Sequence, residues 1–148
     1  MTLSEDGIAN ALGARLFTLS PTPLIAWENR RPRAVDGTAY DTVPDDEKPY
    51  LLAEAVPATR NDVTLKGGGT RARSEGYFQV MVACQRDTWA TAGRQMLDDV
   101  MDLFPKGQTM AVTGGGHVEM TGQVRMVPGY HDGIDWRQGV RLAYVARR

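Results

Sequence analysis

The chain has 148 residues, one cysteine, and 17 basic against 18 acidic side chains, for a formal net charge of −1. That length suits one domain that buries roughly two-thirds of its unfolded surface without a disulfide or metal staple. The lone Cys84 excludes an intrachain disulfide and a thiolate metal cluster, the charge balance argues against a strong nucleic-acid binder, and no run of apolar residues is long enough to span a membrane. The acidic start "MTLSEDGIANALGARLF" has no basic n-region or apolar h-region, so the sequence reads as a soluble, non-exported protein.

The first predicted element is a helix. Thr2 with Glu5 three residues on makes a capping box, Ile8, Leu12, Leu16 and Leu19 recur at helical spacing, and Pro21 and Pro23 end the pattern. Gly7 and Gly13 each cost about 1 kcal/mol relative to alanine, so this helix depends on docking. Three β-prone runs follow: "PLIAWEN" (23 to 29), "YLLAEAV" (50 to 56) and "DVTLK" (62 to 66). Between the first two lies a polar loop at about 30–49, with no period and a charge block that changes sign from Arg30, Arg31 and Arg33 to Asp45, Asp46 and Glu47. Loops of about twenty residues in compact domains tend to be functional or to order against a partner, and a tolerated surface insertion is the equally ordinary alternative.

From 77 to 85 the alternation is clean. Phe78, Val80, Val82 and Cys84 share one face, expected to be core; Tyr77, Gln79, Met81, Ala83 and Gln85 share the other, whose mixed polarity suits a face covered in part or by another subunit. Asp87 then caps a helix from about 88 to 104, ended by Pro105, with Trp89, Ala92, Gly93, Met96, Leu97, Val100, Leu103 and Phe104 on one broad arc. "QTMAV" (108 to 112), "HVEMTGQVRM" (117 to 126) and "RQGVRLAYVAR" (137 to 147) complete the strands, separated by Gly114 to Gly116 and by the turn "PGYHDG". The order helix, strands, helix, strands predicts an α+β fold: a mainly antiparallel sheet packed against an N-terminal and a central helix, all in one domain spanning 1–148.

The stretch "VTLKGGGTRARSEGYFQVMV" (63 to 82) invites a test as a phosphate site. A P-loop needs its lysine after the glycines and a helix immediately following, whereas Lys66 precedes them and a strand follows. The segment reads instead as a basic hairpin at about 66–75 that presents Lys66, Arg71 and Arg73; with Arg30, Arg31 and Arg33 these are the candidate interaction residues. No catalytic, cofactor-binding or metal-binding constellation assembles. His117 and His131 lack metal spacing, Cys84 belongs to the core face of its strand, and Asp98, Asp99 and Asp102 read as a solvated helix face. Trp27, Trp89 and Trp136 are not interleaved with basic residues and read as core or interface anchors.

The ordered signposts "PLIAWEN", "KPYLLAEAVPA", "GYFQVMVACQRDTWATAGRQMLDDVMDLFPKGQ" and "DGIDWRQGVRLAYVAR" resemble the tail terminator, or tail completion, proteins of long-tailed bacteriophages and gene-transfer particles. The resemblance spans most of the chain and rests on order and spacing, and the 30–49 loop is longer than is usual in that family. It implies a structural virion protein and not an enzyme. Such a protein forms a hexameric ring on the tail tube, stops tube polymerisation and docks to the head–tail connector, with DNA as a passenger through the channel and no cofactor or membrane. The implied location is the head-proximal end of the tail, after assembly in the host cytoplasm. Two other readings stay open: another structural particle protein, such as a head-completion or tube subunit, and a small nucleic-acid-binding module using the same arginines and Lys66.

Overall fold

A computed structural model describes residues 3–28, 30–34, 36–64, 66, 70–85 and 90–148. Its elements are α1 (Glu5–Leu16), β1 (Ile25–Trp27), β2 (Tyr50–Thr64), β3 (Thr70–Gln85), α2 (Thr91–Leu103), β4 (Thr109–Ala111), β5 (His117–Asp132) and β6 (Asp135–Arg147), with one 3-10 turn at Asp45–Glu47. The six strands form one sheet in the order β1-β2-β3-β6-β5-β4, in which only the β1–β2 pairing is parallel. The α+β class follows, with both helices on one face, here called the front.

The front is built by alternation. Leu51, Ala53 and Ala55 of β2 stand in register with Val82, Val80 and Phe78 of β3, and the last two with Val140 and Leu142 of β6. Ile8, Leu12 and Leu16 of α1 and Leu97 and Val100 of α2 close over them, with Phe104 edge-on to Phe78 at 5.5 Å between ring centroids. Cys84 belongs to this core as expected. Met96 is only half-buried and Ala92 is exposed, so the buried arc of α2 is narrower than the sequence pattern; Trp89 and the proposed cap Asp87 lie outside the described residues. At Gly93 the helix comes so close to the sheet that a Cβ would sit 2.4 Å from Cys84 Sγ.

Four boundaries differ from the sequence reading. The cap of α1 is Ser4, whose Oγ accepts the Gly7 N–H at 3.0 Å, while Thr2 lies outside the described residues. The helix also stops at Leu16, before the prolines, where the Thr18 hydroxyl donates to the Arg15 carbonyl at 2.6 Å. The runs at 50–56 and 62–66 are one strand: a bulge between Pro57 and Thr59 lets β2 absorb the proline at its outer edge and continue. The extra residue also inverts the alternation, so that Arg60, paired with Ser74, faces α1. In the same way β5 runs through "PGYH" to Asp132, with a register break between Val127 and Tyr130. Gly129 allows this because the Trp136 indole lies against its backbone, 2.0 Å from where a Cβ would stand.

Polar clasps tie the layers together. Glu5 Oε1 accepts from Arg60 Nη1 at 2.9 Å and from the buried Ser74 Oγ at 2.8 Å, fixing the start of α1 to β2 and β3. Arg15 Nε donates to the Leu103 carbonyl at 2.7 Å, which satisfies an orphan acceptor at the end of α2.

Candidate functional site

The surfaces available for assembly are set by what the helices and the 30–49 segment leave uncovered. On the back of the sheet, Val43 and Tyr40 of that segment pack with Ala26, Tyr50, Leu52 and Ala83 in a second small core. The segment is thus a cover over one end of the back face, and the mixed polarity of the second β3 face is explained residue by residue: Ala83 and Met81 lie under or beside the cover, while Tyr77 and Gln79 lie beyond it. The cover is fastened by Lys48, whose Nζ lies 2.6 Å from Asp135 Oδ1 and 3.3 Å from Asp45 Oδ1, with the Lys48 side chain 2% exposed. Burial pulls the Lys48 pKa down, but the contacts with Asp135 and Asp45 outweigh it and hold the ammonium above its ordinary range.

Beyond the cover, the back face carries a polar ladder. Glu54, Gln79 and Arg141 stand side by side on β2, β3 and β6; Gln79 Nε2 donates to Glu54 Oε1 at 3.2 Å and Arg141 Nε donates to Gln79 Oε1 at 2.9 Å. Arg141 also lies over the Tyr77 ring, 5.1 Å from its centroid. The row continues to Arg125 on β5. It is an open, polar, shape-defined surface of the kind a partner protein can cover with satisfied hydrogen bonds.

The candidate basic residues fall into two separate groups. Lys66, Arg71 and Arg73 sit on the β2–β3 hairpin, whose last three ladder pairs, from Asp62 with Ala72 to Thr64 with Thr70, run past the end of β6. All three side chains are exposed; Arg73 pairs with Glu75, while Lys66 and Arg71 have no ion pair among the described residues. The expected glycine tip, 67 to 69, lies outside the described residues. Arg30, Arg31 and Arg33 belong to the cover: Arg31 pairs with Asp41, Arg33 Nη1 donates to the Gly37 carbonyl at 2.9 Å, and Arg30 borders a cleft of about 330 Å³ against Trp27, Glu54 and Gln79. At about 3.3 Å per residue along β2, the two groups are on the order of 30 Å apart and do not form one basic patch.

The sheet has two open edges, placed at opposite ends. β1 covers only Leu51, Leu52 and Ala53 of β2, leaving the outer edge from Glu54 to Thr64 without a strand among the described residues. β4 covers only His117 to Glu119 of β5, and Met120 is the last β5 residue bonded to the segment before β4, so the outer edge from 121 to 132 is open as well. Pro57, Arg60 and Asp62 guard the first edge against indiscriminate pairing. Val124, Met126, Tyr130 and Ile134 make the second side the more apolar, being 46%, 59%, 45% and 57% exposed.

Among the described residues no group of three or more histidine, cysteine or carboxylate side chains is placed to hold a metal, and no helix is long and apolar enough to cross a membrane. Cys84 is buried, which raises its thiol pKa and disfavours the nucleophilic thiolate. Burial also pushes the Tyr144 hydroxyl up to about 12, with Glu5 and Glu28 adding to the shift. Asp98, Asp99 and Asp102 are exposed along α2, as a solvated helix face should be.

The sequence reading found the basic hairpin but missed the Lys48–Asp135 clasp, the Arg60–Glu5–Ser74 network and the Glu54–Gln79–Arg141 ladder. The ladder had a signal, since its members fall on the non-core phase of predicted strands. The other two join residues 55 to 87 positions apart, and only the register brings them together.

A solved structure that carries no functional name superposes on the chain with a TM-score of 0.67, at 22% identity, covering 98% of this chain and 96% of its own. It shares the fold. No curated protein matches. The model of the family described as "Phage tail terminator protein" matches residues 7–144, nearly the whole length, and the chain therefore belongs to the phage tail terminator family.

Proposed function

We infer that copies of this chain close into a ring of six on the finished end of the tail tube, stop further tube subunits from adding, and offer the opposite ring face to the head–tail connector. Membership of the terminator family over residues 7–144 carries this reading. A closed ring requires a heterologous interface in which two different surfaces of one subunit meet their counterparts on its neighbours. The two open sheet edges, one charged and one more apolar and at opposite ends of the sheet, supply surfaces of that kind. The role is structural, within one terminator domain whose cover at 30–49 and basic hairpin at 66–75 reach toward neighbours. Its place is the head-proximal end of the tail, after assembly in the host cytoplasm, and DNA crosses the channel without being gripped because the chain is near neutral.

Particles made without the protein test this. Tails that are abnormally long, or that stay unattached to filled heads, are the expected result. Normal tails on infectious particles would refute the assignment. Retention of free DNA at physiological salt by the purified protein would point instead to a nucleic-acid-binding role.

A further inference from the structure

We propose that Arg125 and Arg141, side by side on the back of the sheet, are a carboxylate site for an acidic segment of another protein, one that lies across the strands and carries a cation for Glu54 on the order of 10 Å from that carboxylate. The ring reading above places neighbouring copies at the sheet edges and leaves the back face between them to a different chain; in this choice of occupant the proposal rests on that reading.

Among the described residues the strand register sets like charges directly opposite each other three times, an arrangement that destabilises a sheet unless a charge of the other sign stands between. Two of the three are neutralised within the chain. Arg73 stands opposite Arg147, and Glu75 and Glu119 pair with them; Asp132 stands opposite Asp135, and Arg137 and Lys48 pair with them. The third is Arg125 opposite Arg141, and no carboxylate among the described residues pairs with either. Arg141 is nevertheless held in place: its Nε donates to Gln79 Oε1 at 2.9 Å, and its guanidinium lies over the Tyr77 ring, 5.1 Å from the centroid. Its two Nη groups are left to a further acceptor, next to the exposed Arg125 and above a shallow depression of about 440 Å³ that Tyr77 and Gln123 help to line. A carboxylate placed there accepts from two guanidinium groups at once and removes the repulsion between them.

The row in which the pair stands, and the rows beside it, select the occupant. Glu54, Gln79, Arg141 and Arg125 are register partners in succession across β2, β3, β6 and β5, with about 4.8 Å between strands. The row is negative at one end and doubly positive at the other. A nucleic-acid backbone is negative throughout, so laying it on the arginines along this row would bring phosphates against Glu54. A protein segment can carry one charge of each sign. The bordering rows are mainly apolar: Val56, Tyr77 and Ala143 on one side, and Met81, Gly139 and Val127 on the other. Side chains of a protein partner cover such borders favourably, whereas a sugar-phosphate chain or a free anion leaves them wet. The charges at the two ends of the row then fix the direction in which the segment lies.

The test begins with particles in which the photo-reactive residue p-benzoylphenylalanine stands in place of the exposed Gln123, at the rim of the depression. Irradiation should join this chain to a peptide of another particle protein, and mass spectrometry should find an aspartate or glutamate beside the linked residue. A cross-link to a peptide without a carboxylate, to a second copy of this chain or to DNA would overturn the proposal, and so would the absence of any cross-link. A charge arm is independent of the label. Arg125→Glu supplies from within the chain the counter-charge that Arg141 lacks, so the purified variant should unfold at the wild-type temperature or above it, while its incorporation into particles falls by about tenfold or more, as for the loss of one charge-assisted contact. Arg125→Ala should lose incorporation as well, without bringing a new charge. Changing the cross-linked carboxylate of the partner to lysine should restore incorporation of Arg125→Glu. Normal incorporation of either variant, a lower unfolding temperature for Arg125→Glu, or failure of the restoration would overturn the site. Copy number in the same particles reports on the ring by itself: a cross-link to an acidic peptide supports the site whatever that number is, and a ring of six without such a cross-link leaves the ring standing and overturns the site.

Discussion

The clasp between Lys48 and Asp135 allows a quantitative test of how the 30–49 cover is held. The two side chains are 2% and 10% exposed and 2.6 Å apart. At an effective dielectric of about 20 their gross attraction is about 6 kcal/mol, much of it offset by the cost of drying both ions. Removing one partner exposes that cost. In Lys48→Met, Asp135 keeps only Arg137 Nη2, at 3.9 Å, so the loss should be about 3 kcal/mol, near the low end for a broken buried pair. Asp135→Leu should cost less, because Lys48 keeps Asp45 at 3.3 Å and that carboxylate is well exposed. The double variant Lys48→Met/Asp135→Leu should recover most of the stability, since an apolar pair of similar volume replaces a desolvated ionic one. The assay is denaturant unfolding of all four proteins, read as a double-mutant cycle. pH supplies an internal check. The Lys48 pKa in the folded protein is raised, so the clasp contributes fully below the unfolded lysine value of about 10.4 and is lost as pH climbs through the folded one. Wild type should therefore lose more stability than the double variant between pH 8 and pH 11. A Lys48→Met protein within about 1 kcal/mol of wild type at pH 8 would refute a buried clasp.

Other expectations are simpler to state. Val100→Asp places an unpaired carboxylate at a fully buried position under α2 and should cost several kcal/mol; a soluble protein with an unchanged unfolding midpoint would contradict the packing. Gly93→Ala gains about 1 kcal/mol of helix propensity but drives a methyl group to 2.4 Å from Cys84 Sγ, so calorimetry should show net destabilisation, with a smaller penalty when Cys84→Ala is already present. Cys84, buried and with its pKa raised, should react with a thiol reagent at pH 8 only at the rate of unfolding; fast labelling of the native protein would place it at the surface. Changing Lys66, Arg71 and Arg73 together to serine should leave thermal unfolding unchanged and lower incorporation into particles, and a triple variant that assembles normally would exclude the hairpin from the interface.

The fold was legible wherever one physical term dominated. The clean alternation at 78, 80, 82 and 84 and the apolar arc at 97, 100 and 104 each mark burial on one side, and each appears in the structure as written. Boundaries failed where backbone chemistry competed with tertiary pairing. Pro57 and Pro128 read as interruptions, yet both fall in bulged strands, where a residue without an N–H costs little. The long cover at 30–49 lacked any period because its buried anchors, Val43 and the Lys48 side chain, and the half-buried Tyr40 belong to no repeating element. Sequence patterns report periodic burial, and a segment that packs through single residues leaves no period to find.

The candidate site was less legible for a related reason. A catalytic site concentrates unusual residues in one place and needs their chemistry, so motifs can reveal it. An assembly surface needs only ordinary side chains at the right separation. Glu54, Gln79 and Arg141 are unremarkable in sequence and separated by 25 and 62 positions; they become one polar ladder because β2, β3 and β6 stand side by side. Lys66 and Arg71 look like a phosphate loop beside the glycines until the strand pairing shows them on a hairpin beyond β6. Lack of an ion pair does not single these cations out, since exposed Arg94, Asp98, Asp99 and Lys106 carry none among the described residues either. A subunit surface is therefore found by which faces and edges the fold leaves uncovered, because the side chains that recognise a neighbour are of the same kinds that elsewhere only face water.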